Sequence, residues 1–104
     1  MSANGALLVS WYTTKVDVKF TRAARKHKVG RERALQAMHN ASYTGEILMG
    51  GDAKKILWLG HDNTGRALEI ITVQDSPTQP IVVIHVMDLR SKYRHLYEQS
   101  KETT

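Results

Sequence analysis

The sequence predicts a small single-domain α+β fold in the order β-α-α-β-β-β-α. An antiparallel sheet should carry an N-terminal helix pair on one face and end in a basic C-terminal helix. Three observations predict it. Lys55 to Gly60, Arg66 to Gln74 and Pro80 to Met87 are apolar runs joined by Asp62-Asn63-Thr64-Gly65 and Asp75-Ser76-Pro77-Thr78-Gln79, turn-forming connectors short enough for hairpins. Leu89, Tyr93, Leu96 and Tyr97 then recur at helical spacing. Finally, 104 residues without cysteine make one domain long enough to bury a core without staples.

Taken in order, Ala6 to Tyr12 (ALLVSWY) is short and apolar and reads as a first strand. Thr13 or Thr14 can cap a basic helix over Lys15 to His27, with Val16, Phe20, Ala23 and Ala24 as its narrow apolar stripe. Arg31 to Asn40 predicts a second helix through Ala34, Leu35 and Met38. Lys28-Val29-Gly30 makes the corner between the two, with Gly30 supplying its backbone freedom. Ala41 to Lys54 reads as loop with a short strand near Glu46 to Met49; its glycines lack phosphate-loop spacing. The three apolar runs form a β-meander. The last of them, Ile81 to Met87, lacks polar alternation apart from His85 and predicts a central strand buried on both faces. Asp88 can cap the helix that follows, which should lie near an edge or across the open face, anchored by Tyr93 and Leu96. The polar tail 98–104 should fray.

Charge is distributed unevenly. Between Val18 and Arg31 no acidic residue interrupts Lys19, Arg22, Arg25, Lys26, Lys28 and Arg31, and a second basic cluster surrounds Arg90. Such clustering suits a polyanion: nucleic acid, or an acidic protein surface, or simply solvent around a charged face. No run reaches the roughly 20 apolar residues that span a bilayer, and MSANGALLVSWY lacks the basic start of a signal peptide. With no cysteine to stabilise by oxidation, a cytoplasmic protein is expected.

RAARKHKVGRERALQAM (Arg22 to Met38) resembles the lysine-histidine-glycine-valine-serine segment that opens BrnT-type toxins. LGHDNTGRALEIITV (Leu59 to Val73) resembles their second hairpin, and VIHVMDLRSKYRHLY (Val83 to Tyr97) their last strand and C-terminal helix. The resemblance implies a RelE/ParE-like fold and an endoribonuclease toxin of a type II toxin–antitoxin system that inhibits translation, with mRNA at the ribosome as its target. It also implies a neutralising antitoxin, whose acidic residues would cover Arg22 to Arg33 and Arg90 to Arg94. This chain departs from the family pattern at Lys28, where glycine is usual, at Gly30, where serine is usual, and at His61, where arginine is frequent. Alternatives with the same fold are a ParE-like inhibitor that works by binding its target, and a plain nucleic-acid-binding module.

A metal-independent ribonuclease must take a proton from the 2′-hydroxyl, stabilise the phosphorane and protonate the leaving oxygen. Arg66 and Arg90 suit the phosphorane, because a guanidinium stays charged and forks onto two oxygens; each is also an ordinary surface charge. His85 is the acid or base candidate, or else a core histidine satisfied by neighbours on a face shared with Val83 and Met87. Glu69, inside the apolar ALEII, needs a partner; it can serve as base or, the preferred role, orient His85 or Arg66. Arg25, Lys26, His27, Lys28, Lys92 and Arg94 are candidates for gripping RNA, and His27 for assisting catalysis. Tyr93 and Tyr97 can stack on bases or pack in the core. His39, His61 and His95 share no ligand spacing, so neither metal nor cofactor is expected.

Overall fold

The computed structural model describes residues 17–47 and 54–102. The predicted strand Ala6 to Tyr12, the caps at Thr13 and Thr14, the end of the short strand at Met49, and residues 103–104 lie outside them. The elements are β1 (Val18–Phe20), a 3-10 turn (Ala23–Arg25), α1 (Arg31–His39), β2 (Tyr43–Ile47), β3 (Lys55–His61), β4 (Ala67–Val73), β5 (Ile81–Asp88) and α2 (Ser91–Glu102). One sheet holds all five strands in the order β1-β5-β4-β3-β2. The meander β2 to β5 is antiparallel, and β1 joins β5 in parallel, so the sheet is mixed rather than antiparallel throughout.

The helix expected over Lys15 to His27 is not formed in its described part. Val18 is buried, Lys19 exposed and Phe20 half-buried, a period of two that the stripe of Phe20, Ala23 and Ala24 masks in the sequence. Val18 and Phe20 stand opposite Ile81 and Val83, and burial against β5 overrides a weak helical pattern. With that helix gone there is no αα-hairpin. The corner is also built differently: Gly30 is extended at the N-cap of α1, while Lys28 takes the left-handed conformation with φ 60°. β2 spans Tyr43–Ile47 and so begins three residues before the short strand expected near Glu46, because Tyr43 to Ile47 pair in register with Leu59 to Lys55. The C-terminal helix continues to Glu102, beyond the point where the tail was expected to fray.

Alternation along the strands divides the core between the two faces. On one face Val18, Leu68, Ile70, Ile81, Val83 and Val86 pack against Ala34, Ala37 and Met38 of α1. On the other, Leu57, Leu59 and Ile71 pack against Leu89 and Tyr97, with Tyr93 and Leu96 beside them, so α2 lies across the open face as expected. α1 sits close to β3 because Gly60 has no side chain: a Cβ there would stand 2.1 Å from the Ala37 carbonyl oxygen.

The β3–β4 turn is closed by Asp62, which is fully buried. Its Oδ1 accepts hydrogen bonds from the Thr64 hydroxyl at 2.6 Å, the Thr64 N–H at 2.9 Å and the Arg66 N–H at 3.0 Å; its Oδ2 accepts one from Arg33 Nε on α1 at 2.7 Å. The Thr64 hydroxyl, opposed by burial and aided by Arg33 and the turn amides, holds this carboxyl well below the ordinary range. The stability it contributes is therefore present in full above the unfolded-chain value of roughly 3.9 and is lost as pH falls through the depressed folded value. Asp62→Asn should cost on the order of 2 kcal/mol at neutral pH. In denaturant melts its deficit should shrink below roughly pH 3, since the parent loses this contribution there and the variant has none to lose.

Candidate functional site

The site is assembled on the α2 face by an irregularity in β5. Its register with β4 passes from Ile71↔His85 to Thr72↔Val83, leaving Ile84 as an extra residue. The bulge turns Ile84 and His85 to the same face and sends Val83 into the core under α1. His85 therefore does not share its face with Val83, as unbroken alternation would require.

Beside it, Glu69 on β4 is 0% exposed and each of its oxygens is occupied. Oε2 accepts hydrogen bonds from His85 Nε2 at 2.9 Å, Arg90 Nε at 2.9 Å and Arg90 Nη2 at 2.5 Å. Oε1 accepts the Arg90 backbone N–H at 2.8 Å. Burial raises the affinity of this carboxyl for a proton, but the Arg90 side chain and amide and the His85 ring outweigh it, so its pKa is lowered. The same hydrogen bond raises the pKa of Arg90. The ionised Glu69 fixes the imidazole with N–H at Nε2, so that Nδ1 is the nitrogen left for other chemistry. His85 is 23% and Arg90 40% exposed, so both reach the surface while their carboxylate does not. Glu69 orients; it has no free oxygen with which to act as a base.

An open cleft of about 500 Å³ adjoins the cluster, lined by the apolar Ile47, Ile71, Ile84 and Tyr93 and the polar His85, Arg90 and Lys92. The Lys92 ammonium lies 5.0 Å and the Arg90 guanidinium 5.8 Å from the Tyr93 ring centroid, within cation–π range. Tyr97, by contrast, is buried in the core and unavailable for stacking.

The basic segment approaches from the opposite side. β1 ends as β5 begins to bulge, with Thr21 N–H bonded to the Val83 carbonyl at 3.0 Å, and the 3-10 turn then packs along β5. Ala24 enters the core under α1, while His27 emerges with its ring centroid 6.0 Å from that of His85 at an interplanar angle of 74°. Lys19, Arg22, Arg25, Lys26, Lys28 and Arg31 are all exposed.

Of the predicted site residues, the structure thus brings together Glu69, His85 and Arg90, with His27 and Lys92 at the margin. Arg66 does not join them. Its guanidinium pairs with Asp88 at 3.1 Å, and Asp88, opposite Leu68 in the register, belongs to the other face of the sheet. Nor does Glu69 orient Arg66; the guanidinium it holds is that of Arg90. Arg94 lies along the exposed side of α2, 3.8 Å from Glu98 one turn on. Among the described residues no three histidine or acidic side chains converge as a metal site, and no helix is long and apolar enough to cross a membrane. The approach of His27 to His85 was not legible in the sequence, because it depends on the bulge and on the parallel pairing of β1.

No protein-family model matches the chain, and no curated protein matches it.

Two outcomes follow from this geometry. Glu69→Gln aims an amide N–H at donors that need an acceptor, and should cost about 3 kcal/mol in urea melts, discounted from a fully buried pair because Arg90 and His85 are partly solvated. That deficit should narrow as pH falls through the lowered Glu69 pKa, where the parent carboxylate is lost too. Lys28→Gly relieves a left-handed L-residue and should stabilise the fold by about 0.5–1 kcal/mol, the strain relieved less the extra unfolded-state entropy of glycine. A loss of stability instead would show that the Lys28 side chain makes a compensating contact.

Proposed function

We propose that this protein is a metal-independent endoribonuclease of RelE/ParE-like fold. It would be the toxin of a bacterial type II toxin–antitoxin system, inhibiting translation in the cytoplasm by cleaving RNA, including mRNA on the ribosome. The observation that carries the reading is the locked trio at the cleft: a sealed carboxylate presenting one imidazole and one guanidinium to solvent beside exposed lysines. The segments that resemble BrnT-type toxins, Leu59 to Val73 and Val83 to Tyr97, are the ones that carry Glu69, His85 and Arg90.

In this reading the RNA backbone runs between the basic segment 25–28 and the start of α2. His85 Nδ1 exchanges a proton with the 2′-hydroxyl or the leaving 5′-oxygen. Arg90 spends Nε and Nη2 on Glu69 and offers Nη1 to the phosphate, joined by Lys92. The unpaired base beside the scissile phosphate enters the apolar side of the cleft at Tyr93. Arg66, paired on the other face, has no role at this phosphate. The antitoxin covers Arg22 to Arg33 and Arg90 to Arg94 with acidic residues and so closes the site.

The test is cleavage of a mixed RNA, free and on translating ribosomes, by antitoxin-free protein in EDTA. His85→Gln and Arg90→Lys should lower the rate by about 100-fold or more while RNA affinity changes modestly. Arg66→Ala should stay within a fewfold of the parent. A parent that cleaves neither substrate, or variants that lose affinity in proportion to the cations removed, would leave a binding protein in place of a nuclease.

A further inference from the structure

Strand cleavage through the 2′-hydroxyl needs two proton movements at opposite ends of phosphorus, and the trio supplies one. Glu69 is sealed, and the guanidinium of Arg90 and the ammonium of Lys92 suit the charge of the phosphorane rather than the exchange of a proton. A second imidazole stands alongside. His27 and His85 are 6.0 Å apart between ring centroids and nearly perpendicular, so their nitrogens can reach different oxygens of one phosphate through hydrogen bonds of roughly 2.9 Å. The two rings come from elements far apart in the chain, and each is placed by a local departure from regular backbone. The bulge at Ile84 aims His85, and the left-handed Lys28 turns the chain immediately after His27. Lys26 and Lys28 flank His27, and no acidic residue lies between Val18 and Arg31 to compete with an anion.

We infer that His27 and His85 form one phosphate site, and that they divide the base and acid work of cleavage between them. The division of labour rests on the nuclease reading above; the paired phosphate site does not. One imidazole takes the 2′-hydroxyl proton as O2′ bonds to phosphorus. The P–O5′ bond breaks, and the other imidazole, protonated beforehand, delivers its proton to O5′. The products are a 2′,3′-cyclic phosphate and a 5′-hydroxyl, with no co-reactant. Glu69 is a positioning residue that holds one ring of the pair, and His27 is the catalytic residue that the cluster lacks.

The experiment joins two readouts on the full-length protein. The first is RNA cleavage in EDTA by the parent, His27→Ala and His27→Gln, with end-group analysis and added free imidazole. The second follows the ring signals of His27 and His85 by NMR as cytidine 3′-monophosphate is added. His27→Ala should melt at the parent temperature and cleave about 100-fold more slowly or worse. Imidazole should restore part of that rate, which a merely structural role for His27 would not allow. The nucleotide should move both ring signals along one saturation curve. Cleavage by His27→Ala within about threefold of the parent overturns the inference and leaves the nuclease reading standing. A parent that cleaves nothing overturns the nuclease reading, and the titration then decides the site: both rings moving together keeps it, and one or neither moving removes it.

Discussion

A carboxylate buried in the middle of a sheet is the constraint on which this molecule turns. Glu69 is charged, wholly desolvated and flanked by Leu68 and Ile70, a position that would be strongly unfavourable without full hydrogen bonding. Its donors come from outside its own strand: the ring of His85 on β5, and the backbone and side chain of Arg90 in the link to α2. Satisfying one buried charge therefore fixes the last strand, the entry to the last helix and the attitude of two functional groups together. The same arrangement sets a limit on Arg90. Two of its three guanidinium nitrogens answer Glu69, so a guanidinium that looks like a phosphate clamp in sequence is first a counter-ion.

The second constraint is the edge of the sheet. β1 is three residues long and covers only Ile81 to Val83 of β5. Beyond that point β5 bulges, and the 3-10 turn rather than a strand lies along its edge. A longer β1 would have paired with the stretch that holds His85 and kept the basic segment in the plane of the sheet. Its brevity lets the chain leave the plane, bury Ala24 on one side and present His27 on the other.

The second half of the fold was legible in the sequence for clear reasons. Lys55 to Met87 alternates apolar runs with Asp-Asn-Thr-Gly and Ser-Pro-Thr turns, and these are local signals with local causes. The helical face of Tyr93, Leu96 and Tyr97 was equally local. The first half was not, because the fate of Val18–Phe20 is decided by Ile81 and Val83, sixty-odd residues away, which no period within the segment encodes. The site divides in the same way. Glu69 in an apolar strand announces a partner, and His85 in an apolar strand announces a special environment. The absence of Arg66 from the cluster and the approach of His27 to it depend on which face each residue takes, and one extra residue at Ile84 changes that.

The two buried carboxylates show why one face of the sheet is structural and the other is a candidate for chemistry. Asp62 is bonded mainly by its own turn, to Thr64 and Arg66, with Arg33 of α1 as its one distant donor among the described residues. What it organises is that turn and the packing of α1 on the sheet. Glu69 organises groups that remain partly in water, bordering a cleft with an apolar side and a cationic side. A charge buried only for stability has little reason to hold an imidazole at the surface, since apolar side chains of similar volume would fill the strand at lower cost. What the Glu69 arrangement provides, and an apolar strand would not, is a ring of fixed tautomer and orientation facing solvent. That is an arrangement suited to moving a proton.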